Sequence, residues 1–247
     1  FYPIHDLFDT LIIEKSDYFS FSCRGNLHIS DDSNLVIKAV RLLEDITKQK
    51  LNVKIILEKN IPIGGGLGGG SSDAAATLLS LNKMFEIGFD YNRLLDLALE
   101  LGSDVPFFLN PKPSIGKSRG EVLEEINFKM NGTMLIINPN IHISTKEAFQ
   151  NIIPREPEYS YENIVKIWNE NPSRIKQILR NDFEKNIFHK YSVIEQIKKE
   201  LYKSGAIYAL MSGSGSTVFG IFNDRESALI AINNFPNDYF KFIHLPG

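Results

Sequence analysis

The sequence predicts an α+β protein. Strand-like apolar runs and stretches of helical periodicity are mixed along the chain without the strict alternation of a parallel α/β fold. A glycine run from Gly64 to Gly70 leads without a break into an Ala/Leu-rich helix. The texture changes at Asn138-Pro139-Asn140, so the chain is divided into a domain over 1–138 and a second over 139–247.

The elements follow in order. Leu11 to Glu14 and Tyr18 to Cys23 read as strands with a polar turn between them. Asp31-Asp32-Ser33-Asn34 is a cap cluster ahead of Leu35, Val36, Ala39, Val40, Leu42, Leu43 and Ile46, which recur at helical spacing. Val53 to Leu57 reads as a strand running to Pro62 and the glycine loop, and the loop feeds a helix to about Met84. A helix carrying Leu94, Leu95, Leu97, Ala98 and Leu101 stops at Gly102, read as a left-handed stop, before Pro106 and the apolar run Phe107-Phe108-Leu109. Pro111-Lys112-Pro113 marks a loop, with strands at Val122 to Ile126 and Thr133 to Ile137. Thr145 caps a short helix, and Pro154 and Pro157 bound a loop. Helices follow at Ile164 to Trp168, Ser173 to Leu179 and Val193 to Tyr202. The strands Ala206 to Met211 and Val218 to Phe222 enclose a Ser/Gly turn, and a helix from Arg225 to about Asn234 and a strand at Phe240 to His244 complete the pattern.

Composition bounds the function. With 247 residues, 43% hydrophobic, the chain has the make-up of an ordinary soluble protein. A formal net charge of −3 gives no electrostatic reason to expect nucleic acid or an anionic membrane surface as partner. The apolar runs are too short to span a bilayer. The lone Cys23 permits no internal disulfide, which suits a cytoplasmic location. His5, His28, His142, His189 and His244 show no metal-ligand spacing. The opening Phe1-Tyr2-Pro3-Ile4 has neither Met nor a capping signal and reads like the middle of a domain, which predicts a preceding N-terminal segment in the natural protein.

Six of the seven residues from Gly64 to Gly70 are glycine, a costly choice unless the backbone itself has a task. A helix start leaves N–H groups unpaired and carries positive dipole charge, and a loop bare of side chains lets an anion reach them. The run formally contains the dinucleotide fingerprint at Gly64, Gly66 and Gly69, but no second strand ending in an acidic residue follows. The Walker pattern fails as well, because Ser71 and Ser72 stand where its Lys would be. The residues therefore describe a third kind of phosphate loop, with backbone amides and the Ser71 and Ser72 hydroxyls as ligands; a flexible linker is the alternative.

Pro62 to Ala75, with its Gly64-Gly65-Gly66-Leu67-Gly68-Gly69-Gly70-Ser71-Ser72 core, resembles the signature loop of the GHMP kinases. Leu101 to Phe108 is similar to the catalytic-aspartate segment of one branch, Met211 to Phe219 to the family's third motif, and Asp32 to Val36 to its adenine-side segment. The resemblance covers nearly the whole chain. It implies a two-domain fold, with an N-terminal ribosomal-S5-like nucleotide domain and a C-terminal ferredoxin-like domain. It implies an ATP-dependent kinase acting, in the matching branch, on a cytidine diphosphate-linked polyol of the non-mevalonate isoprenoid pathway. Another small-molecule kinase of homoserine or mevalonate type, or a non-catalytic nucleotide-binding relative, stands as the alternative.

The resemblance makes Asp104 the base or electrostatic orienter for the substrate hydroxyl; on residue chemistry alone it is ordinary turn chemistry after Gly102. It lays Pro62 and Gly64 to Ser72 around the ATP phosphates and places Asn34 and Lys59 near the adenine. Without it, Asn34 reads as a helix cap and Lys59 as a solvated surface charge. Mg2+ is implied with the phosphates, with no protein ligand identified. Phe1 and Tyr2 fall where the family has a Tyr-His pair beside the cytosine, and Gly213 and Ser214 lie in the third motif, where a plain hairpin is the other reading. The family's Lys near the transferred phosphoryl group has no counterpart in this sequence. A monomer or a homodimer is expected.

Overall fold

The computed structural model describes residues 1–24, 32–150, 152 and 159–246. His28, Asp31, Pro154 and Pro157 lie outside the described residues. The chain forms two compact units, Phe1–Ile61 with Gly68–Asn127 and Pro62–Leu67 with Phe128–Gly247. The sequence division at Asn138 falls at the end of a strand that pairs within the second unit.

In the first unit, β1 (Thr10–Lys15) and β2 (Ser20–Arg24) do not pair with each other. Both flank β3 (Val53–Glu58), β1 antiparallel and β2 parallel to it. Between β2 and β3 runs α1 (Leu35–Thr47), whose Val36, Ala39, Val40 and Leu43 are fully buried. Val53, Ile55 and Leu57 alternate inward from β3 and meet them. Two further helices complete this core: α2 (Gly69–Met84), through Ala74, Ala75, Leu78 and Leu81, and α3 (Tyr91–Leu101), through Leu94, Leu97 and Ala98. Gly102 has φ 167°, extended backbone, so the left-handed stop read from the sequence is corrected: its N–H still donates to the Ala98 carbonyl, and its own carbonyl accepts the Val105 N–H across a turn at Ser103-Asp104. Val105–Leu109 is a 3-10 turn with Pro106 in its first positions. A small hairpin of β4 (Ser114–Lys117) and β5 (Val122–Glu125) follows; the sequence reading had no β4.

The second unit holds an antiparallel sheet in the order β7-β8-β6-β9, built from β6 (Thr133–Asn138), β7 (Tyr208–Met211), β8 (Val218–Phe222) and β9 (Phe240–His244). Among the described residues between β6 and β7 lie the helices α4 (Thr145–Ala148), α5 (Tyr161–Glu170), α6 (Ile175–Ile178), α7 (Glu184–Lys190) and α8 (Ser192–Lys203). Helix α9 (Arg225–Ala231) joins β8 to β9. With α8 and α9 packed on the sheet, this is the ferredoxin-like βαββαβ arrangement. Leu135 and Ile137 of β6 meet Ile194, Ile197 and Leu201 of α8 and Ala228 and Ala231 of α9 in its core. The cap of α4 is Ser144, whose Oγ accepts from the Glu147 N–H at 3.1 Å, and not Thr145, which is the first helical residue. Helix α7 was not anticipated, and Ser173 to Leu179 resolves into a 3-10 turn (Pro172–Arg174) ahead of α6.

Candidate active site

Helix α2 begins at Gly69 behind a left-handed Gly68 (φ 70°), and no side chain caps it. The N–H groups of its first turn are thus left for an external partner. The start is cramped behind and open in front. A Cβ at Gly68 would lie 2.7 Å from the Phe108 ring, and one at Gly69 would lie 3.0 Å from Ile61. At exposed Gly70 a Cβ would meet only Leu35, at 3.8 Å. Leu35 opens α1, so the capping residue Asn34 lies by the start of α2; its Oδ1 accepts from the Val36 N–H at 2.8 Å. Ser71 and Ser72 are half-buried on the first turn, with the Ser72 N–H already donated to the Gly68 carbonyl.

Behind this turn lies a buried charge cluster. Lys59 Nζ donates to Asp73 Oδ2 at 2.9 Å and pairs with Asp9, and the side chains of Asp9, Asp73 and Lys59 are 1%, 5% and 9% exposed. Asp9 also accepts from the Asn60 and Ile61 N–H groups, at 2.6 and 2.9 Å. The reading of Lys59 as a solvated surface charge is therefore corrected. Burial alone would lower its ammonium, but Asp73 and Asp9 outweigh that and hold it above its ordinary range. Two carboxylates compete for this one cation. Burial dominates at Asp73, with Lys59 pulling down and Asp9 pushing up, and its carboxyl rises to about 6.

Asp104 precedes the 3-10 turn and makes no capping bond there. Its side chain is exposed, yet the desolvation of its flank raises the carboxyl above the ordinary range. It faces the tip of the β4–β5 hairpin: a Cβ at Gly120 would be 3.7 Å from Asp104 Oδ1 and 3.6 Å from the Phe1 ring. Phe1 lies over Gly116, is stacked on Phe107 at 5.1 Å, and remains 47% exposed. Tyr2 beside it is half-buried. The structure thus brings Phe1 and Asp104 to one place, and Phe108 packs the Asp104 segment against Gly68. A hollow of about 530 Å³ opens elsewhere in this unit, between α1 and the end of α3 beside Asp32 and Leu101.

Pro62–Leu67 belongs to the second unit with the β7–β8 turn, which carries Gly213 and Ser214. Ser212 Oγ donates to the Gly66 carbonyl at 2.8 Å, and the Thr217 N–H donates to the Gly65 carbonyl at 3.1 Å. Gly66 has φ 76°, and a Cβ there would lie 2.1 Å from the Ser212 carbonyl oxygen. At Gly65 it would lie 2.6 Å from Asn138 Nδ2, and at Gly64 2.0 Å from His142. Among the described residues no group of three or more His, Cys, Asp or Glu is arranged to hold a metal ion.

Two residues of these arrangements escaped the sequence reading. Asp9 lies fifty positions before Lys59 in an apolar opening with no pattern of its own. Asn181 donates both Nδ2 protons to the turn, to the Met211 and Gly213 carbonyls, each at 2.8 Å. Its one sequence signal is the local turn chemistry of an Asn two residues before Phe183, whose N–H its Oδ1 accepts.

Comparison with known proteins follows the same lines. Residues 34–111 match the family described as GHMP kinases N terminal domain, and residues 161–241 match GHMP kinases C terminal. The 4-diphosphocytidyl-2-C-methyl-D-erythritol kinase of Thermodesulfovibrio yellowstonii is 38% identical over 96% of this chain and 85% of its own length. That of Bacteroides fragilis is 41% identical over 92% of this chain and 83% of its own. A crystal structure of 4-(cytidine 5'-diphospho)-2C-methyl-D-erythritol kinase superposes with TM-score 0.79 at 28% identity, covering 97% of this chain and 86% of that one. A mevalonate kinase from L. major, in complex with R-mevalonate, shares the fold at TM-score 0.62 and 13% identity.

Proposed function

This chain belongs to the GHMP kinase family, and on that premise we propose that it transfers the γ-phosphoryl group of ATP to a hydroxyl of 4-diphosphocytidyl-2-C-methyl-D-erythritol, a step of non-mevalonate isoprenoid synthesis. The observation that carries the reading is the packing of Phe108 against Gly68. It sets the Asp104 segment beside the bare, uncapped start of α2.

The amides of Gly69, Gly70 and Ser71, with the positive end of the helix, hold the phosphates, and the Ser71 and Ser72 hydroxyls add donors. Asn34 borders the nucleotide where α1 begins. Lys59, engaged by two carboxylates, secures the loop and leaves little of its ammonium for the adenine. Bound MgATP would supply the phosphoryl group, its metal offsetting the charge of the phosphates held at the start of α2. Asp104 accepts the proton of the substrate hydroxyl or holds that oxygen in line. A carboxyl raised above its ordinary range by burial is a stronger base than a free one. Phe1, braced on Phe107 and nearly half exposed, offers a stacking face for the cytosine, with Tyr2 as its neighbour. Gly213 and Ser214 contribute to substrate binding from the third-motif turn.

The test is an assay of the purified protein with MgATP and three alcohols. Transfer to the cytidine diphosphate-linked polyol and none to homoserine or mevalonate is expected; the reverse preference would overturn the substrate assignment. Asp104→Asn should lower turnover by about 10²–10⁴-fold with ATP affinity little changed, and near-parental turnover would remove Asp104 from the chemistry.

A further inference from the structure

The turn between β7 and β8 is held from outside the sheet. Strand β7 is an edge strand, and the N–H and C=O of its last residue, Met211, are taken by side chains of the segment 181–184. Glu184 Oε1 accepts the Met211 N–H at 3.0 Å, and Lys198 donates to both Glu184 oxygens at 2.8 and 2.6 Å. Asn181 Nδ2 donates to the Met211 and Gly213 carbonyls, which flank Ser212. The orientation of this amide is fixed, because its Oδ1 accepts the Phe183 N–H at 2.9 Å. Ser212, so bracketed, donates its Oγ proton to the Gly66 carbonyl. Gly66 lies close against the turn, with the Ser212 carbonyl oxygen 2.1 Å from where a Cβ would be. Asn181 thus holds the two neighbours of Ser212, and Ser212 in turn bonds the glycine loop two residues before Gly68.

We propose that Asn181 is a positioning residue for nucleotide binding, setting the conformation of the glycine loop through the Ser212 turn. The inference rests on the reading of the loop as the phosphate site. An edge strand needs only that its outer polar groups meet water. Here one amide instead spans the two carbonyls on either side of the hydroxyl that touches the loop, and losing it frees the turn without removing any group that contacts the nucleotide.

The experiment measures MgATP dissociation constants by calorimetry, and steady-state turnover, for Asn181→Ala, Ser212→Ala and the double variant. Asn233→Ala serves as control; that amide donates to the Leu229 carbonyl on the outside of the same unit. Asn181→Ala is expected to weaken MgATP about tenfold, with turnover at saturating ATP within about twofold of the parent. Ser212→Ala should weaken it by a smaller factor, and the double variant no more than Asn181→Ala alone, because the two act along one chain. Asn233→Ala should bind like the parent. An affinity within about twofold of the parent for Asn181→Ala, or additive losses in the double variant, overturns the inference. If Asn181→Ala does not fold, Ser212→Ala decides, and unchanged affinity there overturns it too. A parent that binds no MgATP defeats the reading of the loop itself, which separates the two failures.

Discussion

Pro62–Leu67 and Gly68–Ser72 are continuous and alike in composition, but different forces account for their glycines. In the first stretch the glycines answer to packing: side chains at Gly64, Gly65 or Gly66 would collide with His142, Asn138 or the Ser212 backbone. In the second, Gly68 turns the chain left-handed over Phe108, and Gly70 faces open space at the uncapped start of α2. A run that looks uniform on paper thus divides into a buttress and a mouth, and the mouth adds the uncapped, positive end of a helix. The sharpest way to break this comparison is Gly66→Ala. Left-handed strain and collision with a backbone carbonyl should together cost about 3 kcal/mol, read as a lowered denaturation midpoint. Stability equal to the parent would mean that the buttress is free to move.

The acids on either side of the mouth make a second contrast. Asp104 is open and available, whereas Asp73 is buried and committed to Lys59. Burial is the leading cause of both upward shifts, so both bind a proton more tightly in the folded state than in the unfolded one. For Asp73 the window runs from its ordinary 3.8 to about 6. Within it the native state carries more protons than the unfolded chain, and stability falls as pH rises. Asp73→Asn should flatten that fall, with denaturant unfolding at pH 4, 5, 6 and 7 as the measurement. The slope that remains belongs in part to Asp104. An unchanged slope in the variant would show that Asp73 does not titrate there.

These contrasts were only partly visible in the sequence. Strands β3, β8 and β9 and the start of α2 could be read because their signals are local: an apolar run, an alternation, a glycine run entering a helix. Strand β4 was hidden because Pro111-Lys112-Pro113 dominates its approach and its four residues are too few to show a period. The Asp9–Lys59–Asp73 cluster was hidden because it joins segments that only the tertiary fold brings together, and Lys59 alone looks like any surface lysine. Asn34 was readable both as a cap and as an adenine neighbour, and the cap is what the structure describes. Asn34→Ala should cost about 1 kcal/mol of stability through the lost bond to the Val36 N–H, measured by chemical denaturation. A much larger loss would give Asn34 a structural role beyond α1.

Gly70→Ala has the smallest expected effect on the fold and bears most directly on the mouth. The backbone there is helical, and the nearest atom to a new Cβ is Leu35 Cδ1 at 3.8 Å, an ordinary contact. Alanine also favours a helix over glycine by about 1 kcal/mol, so stability should hold or rise slightly. A helical Cβ, however, tilts toward the N-terminus, which is where an anion would meet the bare amides. MgATP should therefore bind about tenfold more weakly to a protein at least as stable as the parent, since one lost amide contact to a charged ligand has about that effect. Gly66→Ala should show the opposite order, with stability as its primary loss. If Gly70→Ala bound MgATP as tightly as the parent, the phosphates would have to lie away from the first turn of α2, and the division of the loop into buttress and mouth would fail.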